Sequence, residues 1–128
     1  MIATTIEQSK KLVQLGIDIS TADMYYPYLG DNVYSDIPRV GEAMPYSSKH
    51  DIHAWSLSAL MELLPRSIKS EKNGQTYLSI HRGYEDNWAV EYSFDDIDRD
   101  YLEIKFEDRN PIDAAFEMII WLKENKYI

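Results

Sequence analysis

The chain has 128 residues, of which 45% are hydrophobic and 12% aromatic, and its formal net charge is −9. This hydrophobic fraction excludes disorder of the whole chain, and the negative charge argues against a general nucleic-acid binder, which needs clustered Lys and Arg. Because there is no cysteine, disulfides, thiolate metal sites and cysteine nucleophiles are excluded. Neither a signal peptide nor a membrane-spanning stretch is recognisable, so we expect a cytoplasmic protein.

The first predicted element is a helix over residues 5–15. Its cap is either Thr4 paired with Glu7 or Thr5 paired with Gln8, since both pairs fit a capping box. Its apolar side chains recur at helical spacing, which predicts one buried stripe.

A long irregular segment is predicted to follow this helix. Residues 20–23 resemble a second capping signature, which predicts a single helical turn ending at Tyr25. Residues 26–54 contain turn residues such as Asp31 and Asn32 and show no sustained period. Long loops of this kind are often functional or are ordered by their own side chains.

The second half of the chain is predicted to be a helix, three strands and a final helix. Ser56 is expected to cap the central helix and Pro65 to stop it. Alternating apolar and polar residues predict strands over 76–82, 88–94 and 102–107, and their short connections favour an antiparallel meander. Asn110 is the expected cap of the C-terminal helix, with Pro111 at its first position.

These elements predict an α+β fold: a three-stranded antiparallel meander covered by the C-terminal helix and the central helix, plus the N-terminal helix and the long irregular segment. The length predicts one globular domain over residues 1–128. Within it, residues 1–54 would hold the N-terminal helix and the irregular segment, and residues 55–128 the helix–sheet–helix core.

Three stretches also resemble a known group of proteins. They are Thr21-Ala22-Asp23-Met24-Tyr25-Tyr26, Ala54-Trp55-Ser56-Leu57-Ser58-Ala59-Leu60, and Pro111-Ile112-Asp113-Ala114-Ala115 with Trp121-Leu122 and the ending Asn125-Lys126-Tyr127-Ile128. In these the chain resembles small uncharacterised proteins of prophage-like and mobile elements in gut Bacteroidetes. The resemblance implies a phage-like context and a bacterial cytoplasm, but no activity and no catalytic residues.

Two patterns resemble metal sites without completing one. Asp96, Asp98 and Asp100, with Glu107 further on, match part of a calcium loop, but Tyr101 occupies the position that needs glycine. His50 and His53, with His81 as a remote third ligand, form no established zinc motif. We therefore expect no metal site, no cofactor and no catalytic residues.

The acidic residues are concentrated in one region. Residues 85–113 contain eleven acidic and three basic residues, a net charge of −8. Such an edge either keeps the protein soluble and blocks strand pairing, or steers a basic protein partner. The candidate contact residues of this acidic edge are Asp95, Asp96, Asp98 and Asp100.

The tyrosines are concentrated in the irregular segment. Aromatic side chains with a polar tip are enriched at interfaces, but a long loop also needs aromatic residues to hold it against a core. The candidate partner-binding tyrosines are Tyr25, Tyr26, Tyr28, Tyr34 and Tyr46.

The leading functional prediction is a non-enzymatic protein-interaction module of a phage-like or mobile element. One alternative is a small-molecule-binding protein or enzyme with a site between the 26–54 loop and the sheet, using His50, His53 or His81. A second alternative is an acidic inhibitor of a nucleic-acid-binding enzyme. The expected partner is an unidentified and basic protein, or a second copy in a homodimer, with no direct contact to nucleic acid or membrane.

Overall fold

The computed structural model describes residues 2–42, 51–70, 74–94 and 102–128. It divides the chain into two compact units, Met1–Met61 and Glu62–Ile128, so the boundary falls inside the central helix. Helices and antiparallel strands occur together, which confirms the predicted α+β class.

The first unit contains the N-terminal helix and five short strands. The elements are α1 (Ile6–Gln14), a 3-10 helix (Ile19–Thr21), β1 (Met24–Tyr26), β2 (Tyr28–Gly30), β3 (Val33–Tyr34), β4 (Arg39–Val40), β5 (Ile52–Ala54) and α2 (Leu57–Leu63). Strands β4, β1 and β5 form one antiparallel sheet in that order, and β2 pairs with β3 as a hairpin. The central helix α2 begins in this unit.

The second of the two predicted capping boxes starts helix α1. The Thr5 side chain accepts from the Gln8 backbone N–H at 3.1 Å, and the Gln8 side chain accepts from the Thr5 N–H at 2.9 Å. Thr4 is instead fully buried, and its hydroxyl lies 2.8 Å from that of Ser9. The alternative cap at Thr4 is therefore wrong, because the Thr4 hydroxyl belongs to the core.

The predicted helical turn that ends at Tyr25 is also wrong. A 3-10 helix is capped two residues earlier, at Asp18 instead of Ser20, because the Asp18 side chain accepts from the Ser20 N–H at 2.9 Å. Residues 24–26 form the extended strand β1 instead. Short strands also interrupt the segment predicted to be irregular.

The core of the first unit lies on one face of its three-stranded sheet. Met24 and Tyr26 of β1 are buried there, and the Tyr26 hydroxyl donates to the Thr4 carbonyl oxygen at 2.8 Å. Ile6 and Tyr34 pack against this cluster from the helix and the hairpin. Ala3, Ile52 and Ala54 complete the cluster.

The second unit is an antiparallel meander with one long helix. The elements are β6 (Ser67–Ser70), β7 (Gly74–Arg82), β8 (Trp88–Ser93), β9 (Leu102–Asp108) and α3 (Pro111–Glu124). The strands follow the order β6-β7-β8-β9, so β6 is a fourth strand that the sequence did not predict. Helix α3 packs against β8 and β9.

Alternation along the strands gives this sheet one apolar and one polar face. Val90 and Tyr92 of β8 are buried on the apolar face, where α3 contributes Ile119 and Leu122 among its buried residues. The Tyr92 hydroxyl donates to the Pro65 carbonyl oxygen at 2.6 Å, and burial raises the pKa of this phenol. Among the described residues, no helix is both long and apolar enough to cross a membrane.

Candidate functional site

The polar face of the four-stranded sheet gathers charged side chains from three strands. His81 pairs with Ala89, which pairs with Glu107, while Glu91 pairs with Lys105 in the neighbouring row. Since directly paired residues point to the same face, these register positions place one imidazole, one ammonium and two carboxylates together.

Hydrogen bonds and ion pairs hold this group in place. The His81 Nε2 lies 3.3 Å from the Glu91 Oε1, and its Nδ1 lies 3.0 Å from the Arg82 carbonyl oxygen. Both ring nitrogens thus face acceptors, and the bond to Arg82 raises the pKa of His81, with a smaller contribution from Glu91. The Lys105 Nζ lies 3.0 Å from the Glu107 Oε1, which raises the pKa of the ammonium and lowers that of the carboxylate.

An open cleft with a volume of about 290 Å³ lies beside these charges. One wall is bare backbone at Gly83, where an added Cβ would lie 3.1 Å from the Glu107 carboxylate. Tyr84 at the edge of the cleft is 83% exposed. We call this the sheet-face cleft; it is lined by His81, Arg82, Gly83, Tyr84, Lys105 and Glu107.

Three of the predicted contact tyrosines hold the first unit together. Tyr26 is in the core, as described above. Tyr28 and Tyr34 lie opposite each other in the hairpin, with ring centroids 5.3 Å apart in an edge-to-face arrangement. The Tyr28 hydroxyl also accepts from the Asn32 backbone N–H at 3.0 Å. The backbone N–H of Tyr28 donates to the Asp51 carboxylate at 2.9 Å. These contacts correspond to the self-packing alternative for the tyrosines.

The same segment exposes aliphatic side chains. Leu29 and Val33 lie between the paired tyrosines in the hairpin, where a register shift between Tyr28 and Gly30 interrupts the regular pairing, and both are more than half exposed. The two residues between the strands, Asp31 and Asn32, have φ of 53° and 62°, as a type I′ turn requires. We call the exposed aliphatic residues of this segment the aliphatic surface: Leu29 (65% exposed), Val33 (53%), Ile37 (69%) and Val40 (83%).

The three-stranded sheet brings two other candidates together. Tyr25 in the central strand β1 pairs with Arg39 on one side and with His53 on the other. The three residues therefore form one row on the face opposite buried Met24. A half-buried aromatic ring flanked by two basic side chains is an arrangement that the sequence analysis did not predict.

The remaining predicted positions lie outside the described residues. They are Tyr46, His50, Asp95, Asp96, Asp98 and Asp100. Within the described ranges, no group of three or more His, Asp or Glu side chains is placed to hold a metal ion.

Sequence reasoning missed the aliphatic surface and most of the sheet-face cleft. A sequence signal for the cleft exists, since His81 and Lys105 both alternate against apolar neighbours, in the first and third strands of the predicted meander. Nothing in the local pattern separates Leu29 or Val33 from a buried aliphatic residue. Comparison of the chain with family models, curated proteins and solved structures found no match.

Proposed function

We propose that the chain is a non-enzymatic protein-interaction module of a phage-like or mobile element, and that it binds its partner through the aliphatic surface. The observation that supports this is the difference in exposure between the tyrosines and the aliphatic residues of the 28–40 segment. Tyr28 and Tyr34 contact each other and Tyr34 packs against the core, while the four aliphatic residues are more than half exposed. Four exposed aliphatic side chains within one short segment favour an interaction surface.

The charges around the aliphatic surface favour a basic partner. Residues 29–42 contain Asp31, Asp36 and Glu42 against the single Arg39, within a chain whose net charge is −9. We therefore propose a folded protein with an apolar patch bordered by Lys and Arg. Such charge complementarity increases the association rate and depends on salt, while apolar burial supplies affinity.

Affinity capture from a native-host lysate, repeated with surface variants, tests the proposal. The double variant Leu29→Ser/Val33→Ser removes two exposed side chains and should leave the fold intact. Burial of both at an interface contributes about 2 kcal/mol, so the variant should bind its partner roughly thirtyfold more weakly. The matched control is Val13→Ser/Ile19→Ser, which changes residues of the same unit that are 44% and 47% exposed.

The result that supports the proposal is one stoichiometric partner, captured by the parent chain and the control and lost from the surface variant. A partner retained by the surface variant would overturn it. So would capture of a second copy alone, which would indicate a homodimer, or capture of nothing.

A further inference from the structure

We propose that the sheet-face cleft binds a free α-amino acid as its zwitterion. The cleft lies within the second unit, so this inference is independent of the aliphatic surface in the first. It depends on three features: the pairing of the charged side chains, the volume of the cleft beside them, and the exposed ring of Tyr84 at its edge.

The two basic side chains on this face of the sheet each have an acidic partner: His81 has Glu91 at 3.3 Å, and Lys105 has Glu107 at 3.0 Å. The cleft is therefore close to neutral when His81 is protonated, although the chain as a whole carries −9. Base and acid also alternate across this face, because Glu91 pairs directly with Lys105. Arg82 points to the opposite face, where its guanidinium lies 5.0 Å from the centroid of the Trp88 ring.

This pairing matches a ligand that carries both signs. The Lys105 ammonium has three donors and the Glu107 carboxylate has two acceptor oxygens, so each can contact a ligand while the two remain 3.0 Å apart. The carboxylate of a zwitterion would accept from Lys105 while its ammonium donates to Glu107. A ligand with a single charge can make only one of these two contacts.

The cleft also has the size and the wall that such a ligand needs. Its volume of about 290 Å³ is near the lower end of small-molecule sites, which suits a ligand as small as an amino acid. Gly83 allows the Glu107 carboxylate to pack closely against the wall of the cleft, since an alanine Cβ at this position would lie 3.1 Å from it. The exposed ring of Tyr84 offers an apolar surface to the side chain of the ligand.

The test is titration of the full ¹⁵N-labelled chain with each of the twenty common amino acids, followed by ¹H–¹⁵N correlation spectra. We expect at least one to shift the amide signals of Gly83 and Tyr84 and their neighbours in a saturable way. The N-acetyl and carboxamide derivatives of that amino acid each lack one charge. Each should bind about tenfold more weakly, because one charge-assisted contact is lost.

Variants then assign the contacts. Lys105→Met and Glu107→Gln should each weaken binding about tenfold. Gly83→Ala should also weaken binding, because the added Cβ would lie 3.1 Å from the Glu107 carboxylate and displace it. Lys123→Met and Glu117→Gln make the same chemical changes on helix α3 and should bind as the parent does. Unchanged dispersion of the spectra confirms that each variant is folded.

Three results would overturn the inference. One is the absence of a saturable shift with all twenty amino acids. Another is equal binding of the zwitterion and its singly charged derivatives. The third is binding by the Lys105 and Glu107 variants that is no weaker than binding by the α3 controls.

Discussion

Replacing Thr4 with valine tests whether the first unit depends on a buried polar contact. The Thr4 side chain is fully buried, and its Oγ1 accepts from the Trp55 backbone N–H at 3.1 Å and lies 2.8 Å from the Ser9 hydroxyl. Valine has nearly the same shape but no acceptor. The Ser9 hydroxyl can turn to the carbonyl oxygen four residues earlier in its helix, whereas the Trp55 N–H is left without an acceptor in a buried position.

The expected cost of Thr4→Val follows from that one amide. A buried donor without a partner costs about 1–3 kcal/mol, so we expect a loss of about 2 kcal/mol in the free energy of unfolding of the first unit. Thr4→Ser keeps the hydroxyl and removes one buried methyl group, which costs about 1 kcal/mol. Serine should therefore be tolerated better than valine, the opposite of the order that apolar burial alone predicts.

Urea unfolding and native-state hydrogen exchange measure this difference. The Trp55 amide should exchange faster in Thr4→Val than in Thr4→Ser, because only valine removes its acceptor. A valine variant that is as stable as the parent chain, or more stable than the serine variant, would refute the reasoning.

Three further predictions concern the turns and His81. Asn32→Val should destabilise the hairpin by about 1–2 kcal/mol, measured by urea unfolding, since φ at this position is 62° and β-branched residues are poorly tolerated there, unlike glycine, asparagine and aspartate. Lys126→Gly should raise the free energy of unfolding by about 0.5–1 kcal/mol, because φ of 63° after helix α3 favours glycine. The pKa of His81 should lie above 6.5 in an NMR titration, because the bond to Arg82 and the charge of Glu91 favour the imidazolium. This stabilisation is complete below the unfolded-state pKa and disappears as the pH rises through the folded-state value; Glu91→Gln should lower the measured pKa.

The second half of the fold could be predicted because its signals are local. The Asn110 side chain accepts from the Ile112 N–H at 2.9 Å and caps α3 with Pro111 at its first position, as expected. Ser56 accepts from the Ala59 N–H at 3.2 Å, and α2 ends before Pro65. Three long alternating strands were also predicted correctly.

The first half could not be predicted in the same way because its pairing is long-range. Strands β1 and β5 have three residues each, too few to show a period of two, and Met24 pairs with Ala54 thirty positions away. Strand β6 was missed for a similar reason, since its four residues contain one aliphatic side chain, Ile68.

The geometry of both candidate sites also depends on long-range strand pairing. His81 could be named from its residue type, but its position beside Lys105 and Glu107 depends on the register of three strands. The exposure of Leu29 and Val33 depends on the hairpin, which pairs Tyr28 with Tyr34 while Tyr34 packs against the core. Neither property belongs to a single stretch of sequence.

Photo-crosslinking in the native host tests the central claim, a protein partner on the aliphatic surface, most directly. A benzophenone amino acid would replace Leu29 in one variant, Val33 in a second, and Val13 in a control. If a protein partner binds the aliphatic surface, we expect one discrete heterologous adduct from positions 29 and 33 and none from position 13. Adducts that are the same at all three positions, or absent from 29 and 33, would contradict it.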